Sequence, residues 1–267
     1  MTTVKHTGRF GKPGRGFTLV EMMVVVGIIV ILVTMLVPAV NAARTSAKVT
    51  STRVLINALD TGLNSFKGEI RLGRDYPPSR AKPDESLPAP YDKGEYCCGA
   101  QTLVWALAGP NLGGTPGFTG DVLSLPSTRG PYGPFVDTSK IKMKKLWEVV
   151  AGFPDGDEVC HDPFVFVDDF NKAIAYFKAP YLYPGGTEDN VAILWGSKLA
   201  DPPTNFFDKT NKNNPNSFIR DRRVDYDPTP NVGYQPHNRD SFLLISPGPD
   251  LKYGTSDDVA NFPVPGQ

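Results

Sequence analysis

The chain is poor in the residues that build most catalytic and metal centres. Its 267 residues include three histidines (His6, His161 and His237) and three cysteines (Cys97, Cys98 and Cys160). Three cysteines are too few for a disulfide scaffold, and they lack the CxxC spacing of a structural zinc site. The sequence holds no P-loop, HExxH, GxSxG or dinucleotide-binding glycine fingerprint. His161-Asp162 beside Cys160 reads as surface, since a loop histidine next to an aspartate is usually just that. The expectation is a protein that is not an enzyme. Net charge is also missing. Twenty-eight Lys and Arg stand against 28 Asp and Glu, which argues against a nucleic-acid-binding domain driven by bulk charge. The clustered Arg220, Arg222 and Arg223 read as a solvated face.

Acid is scarcest at the N-terminus. Residues 1–16 carry Lys5, Arg9, Lys12 and Arg15 and no acid, and the next 27 residues, FTLVEMMVVVGIIVILVTMLVPAVNAA, hold Glu21 as their sole ionisable group. As a helix this stretch spans roughly 40 Å, enough to cross a bilayer core of about 30 Å. Basic residues before it keep the short N-terminus cytoplasmic and send the rest outward. An ordinary secretory signal peptide has a shorter apolar core, although Val40-Asn41-Ala42 resembles a small-residue cleavage site. A plain membrane anchor is the second reading, and a processed precursor the third. A lone carboxylate in a membrane helix marks a functional site by default. The bland alternatives are that Glu21 snorkels to the interface or complements the helix dipole. Pro38 removes a backbone donor and predicts a kink.

The run Gly16-Phe17-Thr18-Leu19-Val20-Glu21 resembles the cleavage motif of type IV prepilins and type II secretion pseudopilins. The resemblance implies that a prepilin peptidase cuts between Gly16 and Phe17 and methylates the new amine of Phe17. Glu21 takes the family's acidic position, where it pairs with the N-terminal amine of a neighbouring subunit during assembly. The implied organisation is a leader over 1–16, a transmembrane helix over 17–43, an amphipathic continuation over 44–72 and a globular pseudopilin-like domain over 73–267. The implied fold is α+β, a long N-terminal helix packed on a small antiparallel sheet with long loop insertions.

Beyond Asn41 the helix becomes amphipathic, with Ala47, Val54, Leu55, Ala58, Leu59 and Phe66 at helical spacing. Gly73 and Tyr76-Pro77-Pro78 end it, in a pattern similar to the pseudopilin "YP" turn. Residues 79–96 read as loop, and Gln101–Ala108 as a short helix stopped by Gly109-Pro110. Residues 109–140 read as long loops, Ile141–Val150 as either helix or strand, and 180–238 as loop-rich. Strands are expected at Phe164–Val167 and Ala173–Phe177 around Asp168-Asp169-Phe170-Asn171. VDDFNKAIAYFKA resembles the pseudopilin hairpin. A last strand is expected at Phe242–Ile245.

The tail FLLISPGPDLKYGTSDDVANF resembles the calcium-binding C-terminal loop of the major type II pseudopilin. By that resemblance Asp250 and Asp257 are the leading Ca2+ ligands, with Asp258 and Thr255 behind them, and Leu251 stands where the family usually has Gly. Calcium takes six to eight oxygens, which a glycine-rich turn can gather. A plain turn, with the aspartates bonded to local amides, is the competing reading. In an exported domain Cys97 or Cys98 can bridge to Cys160, which leaves an odd thiol.

Taken whole, the resemblance implies a bacterial, single-pass inner-membrane protein with its C-terminal domain in the periplasm. It would be a structural subunit of a type II secretion pseudopilus for protein transport. Its partners would be prepilin peptidase, other pseudopilins in a homo-oligomeric filament, the inner-membrane assembly platform and the lipid bilayer, with no nucleic acid. The alternatives are a minor pilin of a type IV pilus, serving adhesion or DNA uptake, and a membrane-anchored domain of other function.

Overall fold

The computed structural model describes residues 16–82, 87, 97–120, 122–124, 131–149, 164–178, 237–238 and 240–264. Cys160, His161 and the cluster Arg220, Arg222 and Arg223 lie outside these residues, as does most of 180–238. The chain divides into two compact units, Met1–Ser46 and Ala47–Gln267.

Helix α1 covers Leu19–Gly68 and runs through Pro38. From Gly16 to Lys48 no residue is buried, so the apolar side chains from Phe17, just ahead of the helix, through Val40 are left exposed by the described residues. In the second unit the same helix buries Thr52, Ile56, Leu59, Gly62, Leu63 and Phe66. These positions recur at intervals of three and four, which gathers them on one stripe. Leu59 and Phe66 are on the expected face. Val54, Ala58 and Ala47 are not: all three are exposed, Val54 at 64%. Val54 and Ala58 are one turn apart and define a second stripe, rotated away from the one through Leu59. After Gly68 a 3-10 turn, Ile70–Leu72, is closed by Gly73 at φ 93°, whose N–H donates to the Ile70 carbonyl.

The globular elements follow in the order β1 (Arg80–Ala81), β2 (Cys97–Cys98), α2 (Gly99–Leu107), β3 (Phe118–Thr119), β4 (Val122–Leu123), β5 (Met143–Lys145), α3 (Leu146–Val149), β6 (Phe164–Phe166), β7 (Ala175–Lys178), β8 (Phe242–Ser246) and β9 (Val259–Ala260). The layout is the expected α+β arrangement, a long apolar helix followed by small antiparallel sheets. Among the described residues these are β1-β2, β3-β4, β5-β6 and the three-stranded β7-β8-β9. Within the ambiguous segment 141–150 the described residues form a strand, Met143–Lys145, and then a helical turn, Leu146–Val149.

The expected hairpin over 164–177 takes a different form. Val167 and Ala173 meet only in a single bridge. Beyond it β6 pairs with β5, and β7 pairs with β8. The turn between them is held by Asp168, whose carboxylate accepts the Phe170 and Lys172 N–H groups, each at 2.8 Å.

Strand alternation on β7 and β8 builds the two main cores. Tyr176, Phe242 and Leu244 pack with Ile56, Leu59, Leu63 and Phe66 of α1 and Leu103, Val104 and Leu107 of α2. Ala175, Phe177, Leu243 and Ile245 point the other way, toward Cys98, Leu146, Val165, Val167 and Phe262. A strand buried on both faces reads as an unbroken apolar run, as FLLI does. A third, smaller cluster gathers Ala81, Leu87, Cys97, Trp105 and Leu123. The Tyr-Pro turn after α1 is tied to this frame. The Tyr76 hydroxyl donates to Asn64 Oδ1 at 2.9 Å, and the Tyr176 hydroxyl donates to the Pro77 carbonyl at 2.6 Å.

If the Leu59 stripe carries the packing, Leu59→Ala should cost about 2–5 kcal/mol, while Val54→Ala should stay within about 0.5 kcal/mol. Urea unfolding of the full chain in detergent would measure both. Equal losses would place the buried face wrongly.

Candidate functional site

Two places carry the residues singled out in the sequence. The first is the start of α1. Gly16, Phe17 and Thr18 precede the helix in non-regular conformation. Thr18 then caps it. Its N–H and its hydroxyl both donate to Glu21 Oε2 at 2.8 Å, and the Glu21 N–H donates back to Thr18 Oγ1 at 3.2 Å. This is the reciprocal capping box of a Thr-x-x-Glu start. Glu21 therefore satisfies the Thr18 N–H at the helix N-terminus, and its carboxylate stands at the very beginning of the apolar run.

Among the described residues nothing crowds Gly16. A Cβ built there meets nothing within 4 Å, and its φ is not among the positive ones.

One family model matches this region. It is the prokaryotic N-terminal methylation motif, over residues 12–37. The match covers a small part of the chain and supports a type IV pilin-like prepilin signal in a membrane-anchored bacterial protein. No curated protein and no solved structure matches the chain. By length and composition α1 is able to cross a membrane.

The second place is the loop joining β8 to β9. Asp250, Asp257 and Asp258 each bring a carboxylate oxygen within 4.8 Å of the others. Sequence reasoning ranked Asp250 and Asp257 first. Asp258 is the buried member, while Asp250 is exposed. The loop folds around them. The Asp250 N–H donates to Asp257 Oδ2 at 2.9 Å, Lys252 N–H to Asp250 Oδ1 at 2.8 Å, and Gly254 N–H to Asp258 Oδ2 at 2.7 Å. The Thr255 hydroxyl lies 2.6 Å from Asp257 Oδ1 and 3.1 Å from Asp258 Oδ1.

Backbone conformation explains the glycine pattern. Gly248 has φ 63°, and a Cβ on it would fall 2.1 Å from the Asp257 carbonyl oxygen. Leu251, the departure from the pseudopilin pattern, has φ 63° as well. It holds the left-handed conformation that glycine adopts without cost.

Burial, with Asp250 nearby, pushes the Asp258 carboxyl up to about 7, against the hydrogen bonds from Gly254 and Thr255. A hard cation would relieve that charge, and the oxygen-only donor set suits one. The three aspartates therefore fit calcium chemistry, and the same hydrogen bonds also hold the loop as a turn.

A polar pair missed in the sequence anchors this loop. The Ser246 hydroxyl donates to Asp168 Oδ2 at 2.6 Å, and both residues are fully buried. Burial raises the Asp168 carboxyl above its ordinary range, opposed by the bonds from Ser246, Lys172 and Phe170. The Tyr253 hydroxyl donates to the Ala173 carbonyl. The signal was present only as an aspartate opening a turn, with nothing to show what lay across from it.

Cys97 is disulfide-bonded, and Cys98 is a buried thiol. The two adjacent residues face different cores, so a bond between them is excluded. His237 is buried and stacks on Phe262, with ring centroids 4.6 Å apart.

The Asp258 shift has a definite sign. A carboxyl raised in the folded state binds its proton there more tightly than in the unfolded chain. Its stabilisation is complete below the unfolded value near 4 and is lost as pH rises through about 7. With chelator present, thermal stability should therefore fall between about pH 4 and 7, by at most about 4 kcal/mol. Asp258→Asn should flatten that slope, as read by melting curves across pH. An unchanged slope would exclude Asp258 as its source.

Proposed function

We propose that the protein is a structural, non-enzymatic subunit of a type II secretion pseudopilus. The observation that carries this reading is the methylation motif in register with an apolar helix that none of the described residues covers. Prepilin peptidase would cut between Gly16 and Phe17 and methylate Phe17. The subunit would wait in the inner membrane with its globular unit in the periplasm, then enter a filament with other pseudopilins at the assembly platform. An apolar helix exposed over this length needs lipid or other helices around it, and a filament of such helices supplies the second. Glu21 would pair with the methylated amine of a neighbour, giving register at the expense of desolvation. The acidic loop between β8 and β9 supports the secretion system over a pilus, because its three carboxylates are drawn together in the tail that resembles the pseudopilin calcium loop. Asp250, Asp257 and Asp258 would hold Ca2+, which would lock the β8–β9 connection.

The mass of the N-terminal peptide from membrane-extracted protein tests the processing step. A chain that begins at N-methylated Phe17 is expected. One that begins after Ala42 would sink the filament reading. Glu21→Leu should leave the fold and the cleavage intact and abolish filaments, as seen by shearing and electron microscopy.

For the cation, calcium in excess over chelator should raise the melting temperature, with a stabilisation of about 2.7 kcal/mol at a hundredfold excess over the dissociation constant. The gain should grow above pH 7, where Asp258 has lost its proton, and should vanish in Asp257→Ala. Equal melting in calcium and chelator would remove calcium from the account.

A further inference from the structure

The turn between β6 and β7 forms a basic surface beside Lys48, a residue that follows the apolar run closely in sequence. Lys48 follows Ala43 by five residues, so its Cα lies within about 18 Å of the end of that run however the chain is directed. The turn is fastened beside it. The Lys48 ammonium lies 5.4 Å from the centroid of the Phe170 ring. Asp169 accepts bonds from Lys142 and Ser51, which, with the nearby Lys48 charge, hold its carboxyl below the ordinary range.

Asn171 forms the exposed tip, with φ 61°. Lys172 follows it, and Lys142 is 63% exposed. Three cations are thus set against the half-buried Asp169, while Asp168 turns inward to Ser246.

We propose that this turn, with Lys48, Lys142 and Lys172, docks on the anionic phosphate headgroups of the bilayer that holds residues 17–43. The inference rests on the reading of that segment as bilayer-spanning. Headgroup phosphates are then obligatory neighbours, presented at the high effective concentration of a short tether. The headgroup layer is about 5–8 Å deep on each side of the core, a depth that lysine side chains and a ring at a turn tip can meet. Docking of this kind is electrostatic and reversible. It would hold the globular unit against the membrane before assembly and let go when the subunit is extracted.

The test uses the full chain in vesicles of phosphatidylcholine, alone or with phosphatidylglycerol. A nitroxide on Asn171→Cys reports collisions with a nickel chelate carried on lipid headgroups. A second label, on Ile29→Cys, reports collisions with oxygen dissolved in the bilayer core. The buried Cys98 thiol serves as the unlabelled control in the unsubstituted chain. Contact at Asn171 should rise at least about twofold with phosphatidylglycerol and fall back in high salt. It should be lost when the three lysines become glutamine and return when they become arginine. Equal contact in both vesicles, or full contact in the glutamine variant, would overturn the proposal. If Ile29 meets no oxygen, the bilayer-spanning reading itself has failed. If Ile29 does and Asn171 stays remote, only the docking has.

Discussion

Strand β8 has no solvent face, and the globular unit is organised by that constraint. Phe242 and Leu244 must be covered on one side, Leu243 and Ile245 on the other. The first pair recruits the α1 stripe through Leu59 and Leu63, together with α2. The second recruits the residues around Leu146, Val165 and Phe262. Strands β7 and β9 supply the hydrogen bonds on either edge, so β8 is satisfied in every direction. A four-residue apolar run thereby decides which face of the long helix is buried and where the C-terminal loop starts.

The end of the same strand organises the polar chemistry. Ser246 closes β8 and reaches Asp168, whose other oxygen holds the turn after β6. The three bonds that Asp168 accepts, from Ser246, Phe170 and Lys172, are strong in a buried place because no water competes for them. They join the β6–β7 turn to the loop that carries Asp250, Asp257 and Asp258. A change at that loop, such as the arrival of a cation or a proton, therefore bears on a segment that also touches Lys48 through Phe170 and Ser51 through Asp169. The acidic loop and the basic turn are opposite in charge and share one buried anchor.

At the other end of the chain the constraint is reversed. Among the described residues nothing covers the apolar side chains before Arg44, so the surroundings they suit are a bilayer or other apolar helices. Glu21 fits that account in an economical way. In the isolated subunit its carboxylate is occupied by Thr18, which lowers the cost of holding a charge at the edge of an apolar medium. Any intermolecular partner must compete with that local cap.

The sequence by itself determined whatever depends on short range. The apolar run, the prepilin-type signal, the helical period after Asn41 and the strand at Phe242 are legible because neighbours along the chain suffice to state them. So was the convergence of Asp250, Asp257 and Asp258, since one turn rich in glycine brings residues seven apart together. Tertiary structure alone decided which α1 stripe is buried, because Val54 and Leu59 are equally apolar and only the position of β7 and β8 distinguishes them. It decided that β6 and β7 separate into different sheets after one bridge, since pairing depends on partners distant in sequence. It decided that Asp258 and Asp168 are the buried carboxylates and that Cys97, not Cys98, is the oxidised cysteine. Burial and facing are properties of what packs on a residue, and no local pattern records them.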